Sequence, residues 1–302
     1  MAAAGNLRVL LISFLANVGI ALAKGAAALF TGSGAMAAEA IHSAADSINQ
    51  VLLYLGHRES QLGPSDKHPL GRGQAVYFWS FLVALMIFLG GGVLSIREGI
   101  HKLQHPEPIA DAWVAFVVLG VSLLLEGTAA TQALRAAAKL RRGRSFFEFL
   151  RTSRSVDLVV LVTEDSAAVL GLLFAGIALA MTKLTGDARW DAAGSIAIGL
   201  LLCAVALWLA RKVKSLLEGE SADPSIVEAF REEAAREPAI VEILRVFTVQ
   251  QGPRHVVLAA KVRMRDGLSN AEAVRAINAL ERRMHGRSDV IAFQFVEPDV
   301  EV

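Results

Sequence analysis

One cysteine, Cys203, stands in this 302-residue chain, and it sits inside an apolar run. A lone cysteine excludes an internal disulfide and any cage of thiolates, so metal ligands here must be nitrogen or oxygen. Net charge is just as sparse: 30 Lys and Arg against 29 Asp and Glu leave +1. That balance removes the strong global field of a nucleic-acid or acidic-substrate binder, and no nucleic-acid partner is expected. A cleaved leader is not expected either, because the first apolar stretch, after Met1 to Arg8, is too long and contains Asn17 and Lys24.

What the chain has in quantity is hydrocarbon. Hydrophobic residues make up 54% of it and mean hydropathy is +0.47, with apolar runs beyond the roughly 18 residues that cross a bilayer. Six such segments are read, at about 7–30, 33–56, 76–100, 110–135, 157–183 and 190–213. Basic residues orient them. Thirteen, namely Arg58, Lys67, Arg72, Arg135, Lys139, Arg141, Arg142, Arg144, Arg151, Arg154, Arg211, Lys212 and Lys214, fall on one side against Arg97, Lys102, Lys183 and Arg189 on the other. Both termini are then cytoplasmic. Trp79, Trp113, Trp190 and Trp208 lie near expected span ends, where interfacial anchors belong. Arg outnumbers Lys 22 to 8 and Ala is abundant, which suggests a GC-rich bacterial source and hence a bacterial inner membrane.

From about residue 218 the character becomes charged and amphipathic, so the expected organisation is a six-helix membrane domain over 1–217 and a soluble domain over 218–302. The tail reads helix, strand, strand, helix, strand. Asp223-Pro224 is an N-cap with Pro at the first helical position, ahead of Ile226, Val227 and Phe230. Val256, Leu258, Ala260, Val262 and Met264 alternate along a strand entered from a Gly252-Pro253 turn, and Ser269 with Glu272 forms a capping box before the last helix. An αββαβ order favours a small two-layer α+β domain.

Ionisable groups at membrane depth are costly and mark function. His42 and Asp46, one helical turn apart, share a face and can grip one ion; His42 taken alone could equally hydrogen-bond a neighbouring helix. Glu164-Asp165 interrupts another apolar stretch. Asp46 lies ~15 Å from the cytoplasmic end of its span and Asp165 ~12 Å from the start of its own, so the two share a level. His42, Asp46, Asp165 and Glu164 offer nitrogen and oxygen donors suited to a tetrahedral divalent transition metal, Zn²⁺ by default. Adjacent residues point about 100° apart on a helix, which leaves Glu164 open as a direct ligand. Asp165 could instead pair with Lys24. Glu39, one turn before His42, is placed to orient it. Asn17, Asn49 and Gln50 fit interhelical hydrogen bonds along the pathway better than ligation. Glu126 is either a proton-path acid or a structural partner, and Asp157 either lines the entrance or caps its helix.

These residues resemble a known family. Glu39-Ala-Ile-His42-Ser-Ala-Ala-Asp46, Asp66-Lys-His68-Pro-Leu-Gly71-Arg-Gly73, Gly90-Gly91-Gly92 and Glu98-Gly-Ile-His101-Lys-Leu are similar to motifs of the cation diffusion facilitator family. The resemblance implies six spans, a cytoplasmic metallochaperone- or ferredoxin-like tail and a homodimer. It further implies a transporter rather than an enzyme, without a cofactor, exporting a divalent metal against protons from a site on spans two and five. Three departures stand out. Leu161 occupies the position where the family commonly has a second histidine, with Glu164 as a substitute donor that tilts preference toward Mn²⁺ or Fe²⁺. In the first cytoplasmic loop Asp66 and His68 remain, but Arg72 stands where a second histidine would, so a metal there is not expected. In the tail, Leu244, Ala260, Phe293 and Phe295 replace possible ligands, and His255 and His285 lie apart; dimerisation by packing follows. The expected function is proton-coupled efflux of Zn²⁺, or of Fe²⁺, Mn²⁺ or Co²⁺, by alternating access. The alternative is a transport-inactive membrane scaffold.

Overall fold

The computed structural model describes the backbone of residues 2–106, 109, 111–141 and 143–300, and their side chains from Phe14 onward except Ala16. Met1, Arg142 and the side chain of Arg8, which enter the arguments on leader and orientation, lie outside the described residues. The chain forms two compact units, one of Met1–Leu55 with Trp79–Val213 and the other of Gly56–Phe78 with Lys214–Val302.

The first unit is helical. α1 (Ala2–Thr31) and α2 (Gly34–Ser60) are followed by α3 (Ala75–Met86), which runs through π-helical turns at Ile87–Val93 into α4 (Leu94–Gln104). Then come α5 (Ala112–Leu140), a short α6 (Phe146–Thr152), α7 (Val156–Thr185) and α8 (Arg189–Glu218). Among the described residues four stretches, Ala75–Gln104, Ala112–Leu140, Val156–Thr185 and Arg189–Glu218, are long and apolar enough to cross a bilayer, with mean hydropathy of 1.9 to 2.3 in their most apolar windows. α1 contributes an apolar run over Asn17–Thr31, and α2, at 27 residues, is diluted by Glu39, His42, Asp46 and Asn49. Long apolar side chains point outward: Leu29 is 90% exposed and Leu184 81%, as contact with lipid requires.

Lipid tails are as apolar as leucine, so nothing but close packing and polar contacts draws such helices together. Small residues supply the closeness. A Cβ on Gly199 would sit 2.7 Å from the carbonyl oxygen of Gly92, and one on Gly99 would sit 2.8 Å from that of Ala192, so the π-helical turns and α4 touch α8 backbone to backbone. α5 packs along α7 and α1. The basic connection before α7 holds α6, whose Ser145–Glu148 capping box supplies the start signal.

A cross-helix cap fixes where α2 begins. The carboxylate of Asp191, in the first turn of α8, accepts hydrogen bonds from the Ser33 hydroxyl and the backbone N–H groups of Gly34 and Ala35. Those amides are unpaired donors at a positive helix terminus, and Gly32, at φ +69°, makes the turn that presents them.

In the second unit α9 (Pro224–Ala235) and α10 (Asn270–Arg287) accompany a three-stranded sheet in the order β1 (Ile240–Gly252), β2 (His255–Met264), β3 (Ile291–Pro298), with β1–β2 antiparallel and β2–β3 parallel. The expected αββαβ order is present. Val256, Leu258, Ala260 and Val262 bury one sheet face with Ile226, Phe230, Leu280 and Met284, so the period-two pattern of β2 places the core. Glu233, almost fully buried, ties the helices together by accepting from Arg236 at 2.8 Å and from Arg287 at 3.0 Å, with Arg283 3.3 Å away. The segment Gly56–Phe78 belongs to this unit. Within it the Gly73 and Gly252 backbones meet: a Cβ on Gly252 would lie 2.8 Å from the Gly73 oxygen.

Asp191→Ala is expected to lower the stability of the helical unit by about 2 kcal/mol, because it removes a cap and strands buried donors. Thermal unfolding in detergent micelles followed by circular dichroism measures it; an unshifted midpoint would show that the cap is dispensable.

Candidate metal site

Three- and four-residue spacings put His42, Asp46 and Asn49 on one face of α2, and α7 presents Glu164 to that face. Asn49 Nδ2 donates to Glu164 Oε1 at 2.6 Å, and the Asp46 carboxyl lies within side-chain hydrogen-bonding reach of Glu164. His42 Nδ1 is 3.5 Å from Asp46 Oδ1. The shared depth expected of the two acidic positions therefore corresponds to contact between α2 and α7. His42 is 1% exposed, so its ring faces protein rather than lipid.

Asp46 and Glu164 border a cavity of about 460 Å³, and His42 and Asn49 lie outside its wall. Its wall includes Asp46, Glu164 and Asp165, joined by Glu126 from α5, Asn17 from α1, and Gln50. Leu161, at the position of the missing histidine, is part of the same wall. Both ring nitrogens of His42, Asp46 Oδ1, Asn49 Oδ1 and Glu126 Oε2 are buried without a hydrogen-bond partner among the described residues. Buried polar atoms are nearly always paired, and these unpaired oxygens, with one acceptor nitrogen of a neutral His42, suit a cation.

No three His, Cys, Asp or Glu side chains among the described residues are arranged as a ready metal-holding group. Three of the four expected donors, Asp46, Glu164 and Asp165, line one cavity without closing on one point, and His42 lies outside its wall, 3.5 Å from Asp46.

One expectation needs correction: Glu39 does not serve His42. The alternative pairing of Lys24 with Asp165 is not formed either. The Lys24 ammonium, fully buried, donates to Glu39 Oε2 at 3.0 Å, Ser43 Oγ at 2.8 Å and Glu126 Oε1 at 2.6 Å. Glu39 is drawn toward Lys24 because an ammonium cannot lie in a low-dielectric interior without counter-charge. Gly171 of α7 leaves the space that the Glu39 carboxylate fills: a Cβ there would collide with Glu39 Oε1. Glu126 thus has the structural partner left open by the sequence and also faces the cavity. The signal for this cluster was present, since an intramembrane lysine is as costly as an intramembrane histidine.

The remaining positions lie elsewhere. Asp157 is exposed in the first turn of α7 and is not part of the cavity wall. Asp66 is exposed and His68 half-buried in the Gly56–Phe78 segment, where a small Ser65–His68 bridge shapes the loop.

Comparison with known proteins gives these features a family. The family model for the cation efflux transmembrane domain matches residues 10–217, and the chain belongs to that cation efflux family, the cation diffusion facilitators, whose members are transporters rather than enzymes. The chain is 36% identical over 236 residues to the mitochondrial proton-coupled zinc antiporter SLC30A9 of Xenopus laevis, covering 78% of this chain and 42% of that protein. It is 35% identical over 237 residues to the human protein of the same name, with 78% and 42% covered. Metal tolerance protein C4 of Arabidopsis thaliana is 34% identical over 188 residues, 62% of this chain and 41% of that one. The chain thus spans about two fifths of the length of the relatives it matches.

Asn49→Ala leaves Glu164 Oε1 without its donor and is expected to cost about 1–3 kcal/mol. Thermal unfolding against wild type in the same micelles measures it, with Asn49→Asp expected to be worse because it sets a third carboxyl beside Asp46 and Glu164.

Proposed function

We propose that this chain exports a divalent transition-metal cation from the cytoplasm in exchange for protons, by alternating access around the cavity between α2 and α7. The observation that carries this reading is the buried acceptors on His42 and Asp46 that have no hydrogen-bond partner among the described residues, with Asp46 in one cavity wall with Glu164 and Asp165. Zn²⁺ is the first candidate, in keeping with the zinc antiporters among the chain's relatives; Fe²⁺, Mn²⁺ and Co²⁺ suit a carboxylate-rich donor set.

The chemistry follows from the contacts. Two carboxylates side by side have only acceptors, so Asp46 and Glu164 are read as sharing a proton when no metal lies between them. A dication entering between Asp46 and Glu164 displaces that proton and takes up the oxygens, with the neutral imidazole of His42 as the nitrogen donor. Asp165 in the wall closes the set. The bundle then rocks outward, external protons return to the carboxyls, and the metal leaves. Binding and protonation use the same lone pairs, which couples the two fluxes.

Six spans, with α1 and α2 crossing alongside the four strongly apolar stretches, and both termini on the cytoplasmic side agree with the thirteen-to-four split of basic residues. A bacterial cell membrane is proposed from composition, with lipid as the surrounding partner. The chain is proposed to work as a homodimer through the open face of its sheet. There Phe247 and Phe295, 46% and 56% exposed, flank Ala259 in one row. The neighbouring row Arg245, Lys261 and Glu297 carries both signs, which a two-fold pairing can match.

Asp46→Ala is expected to abolish Zn²⁺-dependent proton flux in proteoliposomes while the protein stays folded; retained flux would remove Asp46 from the mechanism. Phe247→Glu combined with Phe295→Glu is expected to halve the particle mass in micelles by light scattering, and an unchanged mass would place the dimer contact elsewhere. The second reading, a transport-inactive membrane scaffold, draws on Leu161 in the cavity wall and on the unclosed donor set. A host stripped of its own exporters decides: restored zinc tolerance supports transport, and continued sensitivity despite normal membrane expression supports the scaffold.

A further inference from the structure

An ammonium carries three N–H donors, and Lys24 spends them on Glu39, Ser43 and Glu126. Two of these acceptors, Ser43 and Glu126, also line the cavity, and Glu126 is the charged one. Glu126 gives Oε1 to Lys24, while its Oε2 is buried without a partner among the described residues and the side chain lines the cavity that holds Asp46, Glu164 and Asp165. Glu39 is fully buried and outside that wall. Glu126 therefore stands between a fixed cation and the space proposed for a mobile one.

We propose that Lys24 and the transported dication compete for Glu126, so that the lysine holds this carboxylate when the cavity contains no metal ion and an entering ion draws it across as an oxygen ligand from α5. This rests on the reading of the cavity as the cation site. The physical reason is charge matching. A carboxylate at this depth needs a positive partner at every stage, and Lys24 supplies one whenever the metal has left. The exchange does not strand the lysine, which keeps Glu39 and Ser43. It also supplies a donor where Leu161 offers none, from a third helix rather than from α7. Because the ion must displace a resident charge to gain this ligand, the lysine weakens metal binding and speeds release, which a carrier needs as much as capture.

The test is a double-mutant cycle on the full chain in lipid nanodiscs, titrated with Zn²⁺ in a calorimeter. Lys24→Met is expected to bind Zn²⁺ about tenfold more tightly and Glu126→Gln about tenfold more weakly, within the usual range of coupling between sites. The double variant is expected to match Glu126→Gln within about threefold, since a lysine has nothing to withhold once the acid is gone. A lysine acting only through its field would tighten the single and the double variant by the same factor, and that result overturns the exchange. Unchanged or weaker binding by a folded Lys24→Met overturns it too. Should Lys24→Met not fold, Lys24→Gln, uncharged but still able to donate to both acids, is read by the same criteria. Asp46→Ala separates the two layers: binding lost there while the Lys24 variants behave as wild type rejects the exchange and leaves the site standing, whereas binding retained there rejects the site and the exchange with it.

Discussion

A fully buried ammonium inside a bundle whose outer surface is hydrocarbon sets the terms for everything around it. Desolvating one charge costs several kcal/mol, even after the protein relaxes, so Lys24 forces acids onto the helices that touch it. Glu39 of α2 and Glu126 of α5 answer that demand, and Gly171 of α7 keeps clear the volume into which Glu39 fits. A chain of charge and shape thus fixes four helices against one another at one level. The same requirement contributes to α2 being the least lipid-like of the long helices: its inward face carries Glu39 and Ser43, which take hydrogen bonds from Lys24, besides His42, Asp46 and Asn49.

Polar contacts hold this core, and small residues hold the rest. Where Gly92 and Gly99 meet Gly199 and Ala192, no side chain intervenes, and contact is between backbones. The two kinds of seam differ in consequence. Backbone-to-backbone seams make rigid bodies, whereas contacts among ionisable groups can be exchanged when a proton or an ion arrives, so rigid elements and a rearrangeable centre coexist in one bundle.

Long apolar runs made the helices legible, and α1, α2, α5, α7 and α8 begin and end within about five residues of where hydropathy puts them. Alternation exposed β2, and the Ser269–Glu272 box marked α10, because both signals are local. The meeting of α2 with α7 was legible for another reason: depth along a membrane normal converts sequence distance into height, and Asp46 and Asp165 agreed. What stayed hidden needed three bodies at once. The partners of Lys24 lie 15 and 102 residues away, and no periodicity connects them. Nor did composition show that Gly56–Phe78 folds with the tail, since the Gly73–Gly252 contact depends on two glycines whose common feature is a missing side chain.

The π-helical turns at Ile87–Val93 give the long third helix a phase it would not otherwise have. Each wider turn accommodates more residues than an α turn, so everything beyond Val93 is rotated about the axis relative to a uniform helix. Rewinding this stretch as α-helix without shortening it would swing Gly99 by on the order of 100°, away from Ala192. The triplet Gly90-Gly91-Gly92 therefore works as a register spacer, aligning two halves of one helix with different neighbours.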